Sequence, residues 1–173
     1  MTASMRLTEI RDLASKLQSS APVRKPAETG QDSPSDHSYL SVDLVATTPS
    51  YIRDLLEEVN GAFAAGCFTA CGMVLRRFAE TLLIEAFERK DNAHLIQGPG
   101  GEWLTLEGIV AVAEQPASLG LTRNARKALA GIKKIGDLSA HDRHFVAKRH
   151  HLSRQQLDVE VAVQGLLAVC GFR

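Results

Sequence analysis

The stretch from Cys67 to Lys90 contains no proline and is apolar around most of a helical circumference, and this dictates what the rest of the chain must do. At 3.6 residues per turn, Cys71, Val74, Leu75, Phe78, Leu82 and Ala86 line one side, while Phe68, Ala79, Leu83 and Phe87 widen it. A helix of that kind is stable in water only when neighbours cover it on several sides. The remaining periodic segments supply those neighbours. Apolar residues recur at helical spacing near 50–65, 105–114, 122–135 and 153–169, and no alternating run asks for a strand. The expectation is an all-α fold, an antiparallel helical bundle with short connections. Its core should hold Val74, Leu75, Phe78, Leu82, Leu129, Leu166 and Leu167.

Local signals set the predicted ends of these helices. Thr48-Pro49 reads as an N-cap followed by proline at the first helical position. Gly136 reads as the stop of the helix that begins near Thr122, and Ser153-Arg154-Gln155-Gln156 as a capping box opening the last one. Gly98-Pro99-Gly100-Gly101 has neither the lysine nor the preceding strand of a phosphate loop and reads as a turn.

Upstream of the body, residues 1–18 carry Met5, Leu7, Ile10, Leu13 and Leu17 at amphipathic helical spacing, a candidate surface for a protein partner over residues 5–18. Residues 19–47 are rich in serine and proline and read as a linker, leaving 48–173 as the helical domain. No run approaches the length of a membrane span, and the first thirty residues lack the layout of a secretory signal. Three cysteines, two of them on the apolar helix, make no disulfide framework. The chain reads as cytoplasmic, with no metal and no cofactor expected.

Charge is distributed unevenly. The chain balances 20 Lys+Arg against 20 Asp+Glu, yet Arg123 to Arg154 holds nine of the cations, two of the carboxylates and four of the six histidines. Nine against two leaves that window at +7 and the remainder at −7. A cationic element of this density attracts polyanions, because neutralising phosphates releases their counterions. Lys133, Lys134, Arg143, His144 and Arg149 are therefore candidate ligand-binding residues, and so is Arg77 on the central helix, beside Arg76 and Glu80. On the central helix, Arg76 and Glu80 lie four apart on one face and are candidates for an ion pair, either functional or pinning the packing. His141 is a candidate general acid or base, with Asp137 as a turn former in the same segment.

Leu75-Arg76-Arg77-Phe78-Ala79-Glu80 followed by Gly136-Asp137-Leu138-Ser139-Ala140-His141 resembles an uncharacterised bacterial branch of the HEPN superfamily over about residues 48–170. The resemblance implies a homodimer with the motif histidines of two protomers around one groove. It also implies RNA or nucleotide as ligand, and metal-independent endoribonuclease activity in a defence or toxin–antitoxin setting. Its catalytic set would be His141, Asp137, Arg76 and Glu80. Active members carry arginine where this chain has Gly136, and a guanidinium there would hold the scissile phosphate. Losing such a donor costs about two to three orders of magnitude in rate, so weak or absent cleavage is expected. The alternative is a non-catalytic dimeric scaffold.

Overall fold

A computed structural model describes residues 38–172, and the segments 1–18 and 19–37 lie outside it. The described residues form seven α-helices: α1 (Ser50–Ala64), α2 (Phe68–Arg89), α3 (Leu106–Ala113), α4 (Pro116–Leu119), α5 (Arg123–His141), α6 (Arg149–Ser153) and α7 (Gln156–Cys170). Single 3-10 turns occupy Val42–Val45 and Ala93–Ile96. The fold is all-helical, as the periodicity predicts. Among the described residues no helix is long and apolar enough to cross a membrane.

Helix α2 is the axis of the bundle and packs against α1, α5 and α7. Its buried residues, Cys71, Gly72, Leu75, Phe78, Ala79, Leu82, Leu83, Ala86 and Phe87, span more than one face. That breadth is the physical signature of a helix covered from several directions. Ile52, Leu56, Val59 and Phe63 of α1 and Val159, Ala162, Val163, Leu166 and Leu167 of α7 complete the core. Val74 packs at its edge rather than inside it. Cys71 and Cys170 are buried, and burial pushes both thiols up to about 12, whereas Cys67 is exposed at the start of α2. The two cysteines of α2 therefore do not share the core face.

Several predicted boundaries are corrected. Helix α5 does not stop at Gly136 but runs on to His141. Gly136 lies inside the helix and against α2, where Ile132, Ile135, Gly136 and Ser139 continue the buried stripe. The Ser153 capping box does not form. Ser153 ends α6, and α7 starts after Gln155 without a side-chain cap, because buried Leu152 anchors α6 as a separate turn. Helix α1 begins one residue later than Thr48-Pro49 suggests. The Thr48 hydroxyl, buried, donates to the Val45 carbonyl at 2.8 Å rather than capping the helix.

The C-terminal end of the predicted linker belongs to the body. Tyr39 is fully buried, stacks near Phe63 with ring centroids 5.1 Å apart and donates its hydroxyl to the Leu152 carbonyl at 3.2 Å. Asn60 of α1 clamps the same strip. Its Oδ1 accepts the Tyr39 and Leu40 amides and its Nδ2 donates to the Leu40 carbonyl. Tyr39, Leu40 and Val45 are all buried, so the apolar residues of 39–47 dock this segment onto the body.

Candidate functional site

Helices α2 and α5 cross in opposite directions at small residues. An added Cβ at Gly72 would stand 2.4 Å from Ser139 Oγ, and one at Gly136 would stand 2.5 Å from Arg76 Cβ. At such separations only glycine fits without displacing the partner helix. The glycine of the Gly136–His141 motif is therefore a packing residue, and an arginine at that position would point into α2.

Because α5 is helical through the motif, its side chains sort by face. Lys133, Asp137 and His141, at successive intervals of four, line a cleft between α3 and α5 of about 620 Å³. Asp137 is the hub of its charge network. Its carboxylate accepts Arg76 Nε from α2 at 3.0 Å and Lys133 Nζ at 3.0 Å. Partial burial pushes this carboxyl up, but the hydrogen bonds and charges of Lys133 and Arg76 prevail and hold it below the ordinary carboxylate range. The hydrogen bond to Asp137 in turn raises the Lys133 ammonium, against partial desolvation, with Glu107 at 3.5 Å adding to the effect.

The predicted Arg76–Glu80 pair is not present. Arg76 turns across the seam to Asp137, and Glu80 instead meets Arg77 at 3.5 Å along the same helix. Of the proposed catalytic set, Arg76, Asp137 and, one turn on, His141 come together, while Glu80 does not join them. The cleft around His141 suits phosphate poorly. Glu107, Glu114, Asp137 and Asp142 face Lys133, Lys134 and His141, and His141 sits at the carbonyl end of α5, the negative pole of the helix. Arg76 and Lys133 are already paired, the first with Asp137 and the second with Asp137 and Glu107.

On the other side of Lys134 and Leu138 the balance reverses. A second cleft of about 230 Å³, between α5 and the α6–α7 junction, is lined by Lys134, Ile135, Leu138, Phe145, His151, Arg154 and Gln155. It contains no carboxylate. Among the described residues, ion pairs engage Arg76, Arg77 and Lys133 but not Lys134, Arg143, Lys148, Arg149 or Arg154. Arg143 Nε donates to His144 Nε2 at 2.9 Å, leaving both side chains exposed on the turn after α5. Arg149 has a structural anchor. Its guanidinium lies over the rings of Phe63 and Phe68, 4.8 and 5.3 Å from their centroids. Phe145, His151 and Arg154 belong to no motif, and their signal in the sequence is the absence of any acidic residue from Arg143 to Gln156.

Against known protein families, curated proteins and solved structures, the chain shows no match.

Proposed function

We propose that this helical domain binds single-stranded RNA through the cationic side of α5 and the turn that follows it, without cleaving what it binds. The observation that carries the reading is the segregation of charge. Arg76 and Lys133 are held by Asp137, whereas the exposed cations Lys134, Arg143, Lys148 and Arg154 have no carboxylate partner among the described residues. Arg123 and Lys127 extend the strip toward the start of α5, since residues seven and eleven before Lys134 fall on one helical face with it. Unpaired surface cations are the groups that exchange condensed counterions for protein contacts. The lack of cleavage follows from the His141 cleft, where four carboxylates would surround a phosphodiester and no guanidinium is left to stabilise added charge.

Fluorescence anisotropy with a labelled oligoribonucleotide tests this. Four phosphate contacts on a single strand give a log–log salt slope of about −3, roughly a 50-fold loss of affinity between about 50 and 200 mM salt. Charge reversal at Lys134, Arg143, Lys148 and Arg154 should abolish binding while the circular-dichroism spectrum stays helical. No binding at about 50 mM salt, or a flat salt dependence, refutes the reading.

A further inference from the structure

The cleft between α5 and the α6–α7 junction is built differently from the rest of the cationic strip. Lys134 and Arg154 bring permanent charge from two separate helical segments, and Leu138, Ile135 and Phe145 form an apolar floor between them. His151 packs on Phe145, with ring centroids 5.3 Å apart and an interplanar angle of 32°. Its Nδ1 accepts the Lys148 amide at 3.0 Å, so the neutral imidazole carries its proton on Nε2 as a donor. Partial desolvation, with His150, Arg154 and Lys148 adding to it, holds the His151 imidazole below the ordinary value. Gln155 completes the wall, and its Oε1 is buried without a donor.

Positive charge on two sides, a neutral imidazole donor, an apolar floor and no carboxylate describe a receptor for a compact dianion attached to something flat and apolar. A terminal phosphate carries about −1.5 to −2 charges near neutral pH, whereas an internal phosphodiester carries one. Enclosed sites for whole drug-sized ligands measure about 300–1,000 Å³. At about 230 Å³ this cleft holds a phosphate and part of an adjoining nucleoside, not a long ligand.

We infer that this cleft binds the phosphomonoester end of a nucleotide or RNA strand, the phosphate between Lys134 and Arg154 and the adjoining ribose or base over Phe145 and Leu138. The inference deepens the RNA-binding reading and rests on it for the identity of the ligand. Docking of the dianion favours protonated His151, against the loss of the hydrogen bond that Nδ1 accepts from the Lys148 amide.

The test uses the full chain and 5′-AMP, inorganic phosphate and adenosine as probes, followed by heteronuclear NMR. AMP should bind with a Kd on the order of 0.1–1 mM and shift the amides of residues 134–138, 145 and 151–155. Phosphate should bind the same residues more weakly, and adenosine should leave them unmoved. The titration midpoint of the His151 ring protons should rise when AMP is present. Arg154→Gln and Lys134→Gln, both at exposed positions, should each weaken AMP at least about fivefold, as loss of one charge-assisted hydrogen bond implies. Phe145→Leu should weaken AMP while sparing phosphate. Shifts scattered over all surface lysines, AMP affinity indifferent to Arg154→Gln, or adenosine binding as well as AMP would overturn the assignment. RNA affinity that survives the Lys134→Gln, Arg154→Gln double variant would remove this cleft from the interface and leave RNA binding by the remaining strip intact. Loss of RNA binding by the native chain, with AMP still seated in the cleft, would instead refute the RNA reading.

Discussion

Gly136→Ala discriminates between a helix-stop glycine and a seam glycine, because the two roles predict effects of opposite sign. Within a helix, glycine is less favourable than alanine by about 0.5–1 kcal/mol, so the substitution gains that much wherever there is room. Gly61 of α1 is such a place, exposed and with nothing within 4 Å of an added Cβ. At Gly136 the new methyl would meet Arg76 Cβ at 2.5 Å, Cγ at 2.9 Å and Cδ at 3.0 Å. Carbon atoms are comfortable at about 3.5–4.0 Å, so α2 and α5 must part by about 1 Å. The nearest of these atoms is Cβ, which rotation of the Arg76 side chain cannot remove. Overpacking of this kind costs about 1–3 kcal/mol, and after the helical gain the net loss is about 0.5–2 kcal/mol. For a body of this size that is a fall in Tm of about 2–8 °C. Thermal and urea unfolding of Gly61→Ala and Gly136→Ala should thus move in opposite directions. Gly136→Arg should lower stability further without creating ribonuclease activity. If Gly136→Ala raises Tm as Gly61→Ala does, α2 and α5 do not meet at this glycine and the placement of the motif is wrong.

Asp137→Asn should destabilise the fold at neutral pH, and the difference from the native chain should vanish in acid. The folded carboxyl lies below its ordinary value of 3.8, so its contribution is complete above about pH 4 and is lost as pH falls through the depressed native value; urea midpoints at a series of pH values check this. Ser139→Ala should be neutral or stabilising by up to about 1 kcal/mol, because the Ser139 hydroxyl is buried on Gly72 with no hydrogen-bond partner. A loss above about 1 kcal/mol in the same assay would mean that the hydroxyl is bonded.

The helical fold class was legible because its evidence is repetitive. On α2 the apolar residues recur over 22 positions, and no single misreading could remove them. The ends of helices rest on one or two residues, and there local chemistry was outvoted by packing. Gly136 satisfies the pattern of a helix stop, yet Ile132, Ile135 and Ser139 keep the buried face in phase past it. Gly72 on the facing helix gave the complementary hint, since two small residues on crossing helices let backbones approach. Tyr39 illustrates the same limit from the other direction. Tyr39 is buried together with Leu40 and Val45, but three apolar residues at the end of a serine-rich stretch are too few for a periodicity to announce them.

The candidate site was half legible for a related reason. Sequence spacing reveals partners along one helix and is blind to partners across a seam. Arg76 has Glu80 four residues on, but its guanidinium is aimed over Gly136 toward Asp137, 61 residues away. The absence of a side chain at Gly136 leaves the space along which Arg76 lies. Gly136, Arg76 and Asp137 are therefore one unit. The glycine makes room for the arginine, and the arginine brings charge to the aspartate, which also holds Lys133. That unit engages Arg76 and Lys133 and leaves the α3–α5 cleft lined by four carboxylates, unsuited to phosphate. The same arrangement explains why the cations in contact with the motif are engaged while Lys134 and those of the turn after α5 stay available. Replacing Asp137 by a neutral residue would free Arg76, leave Lys133 with Glu107 alone and remove one of the four carboxylates of the His141 cleft. In the Asp137→Asn chain, RNA should therefore bind more tightly and with a steeper salt slope than in the native chain, even as the fold becomes weaker. An unchanged slope in that variant would show that Arg76 and Lys133 remain sequestered without Asp137, and the charge-segregation argument would fail.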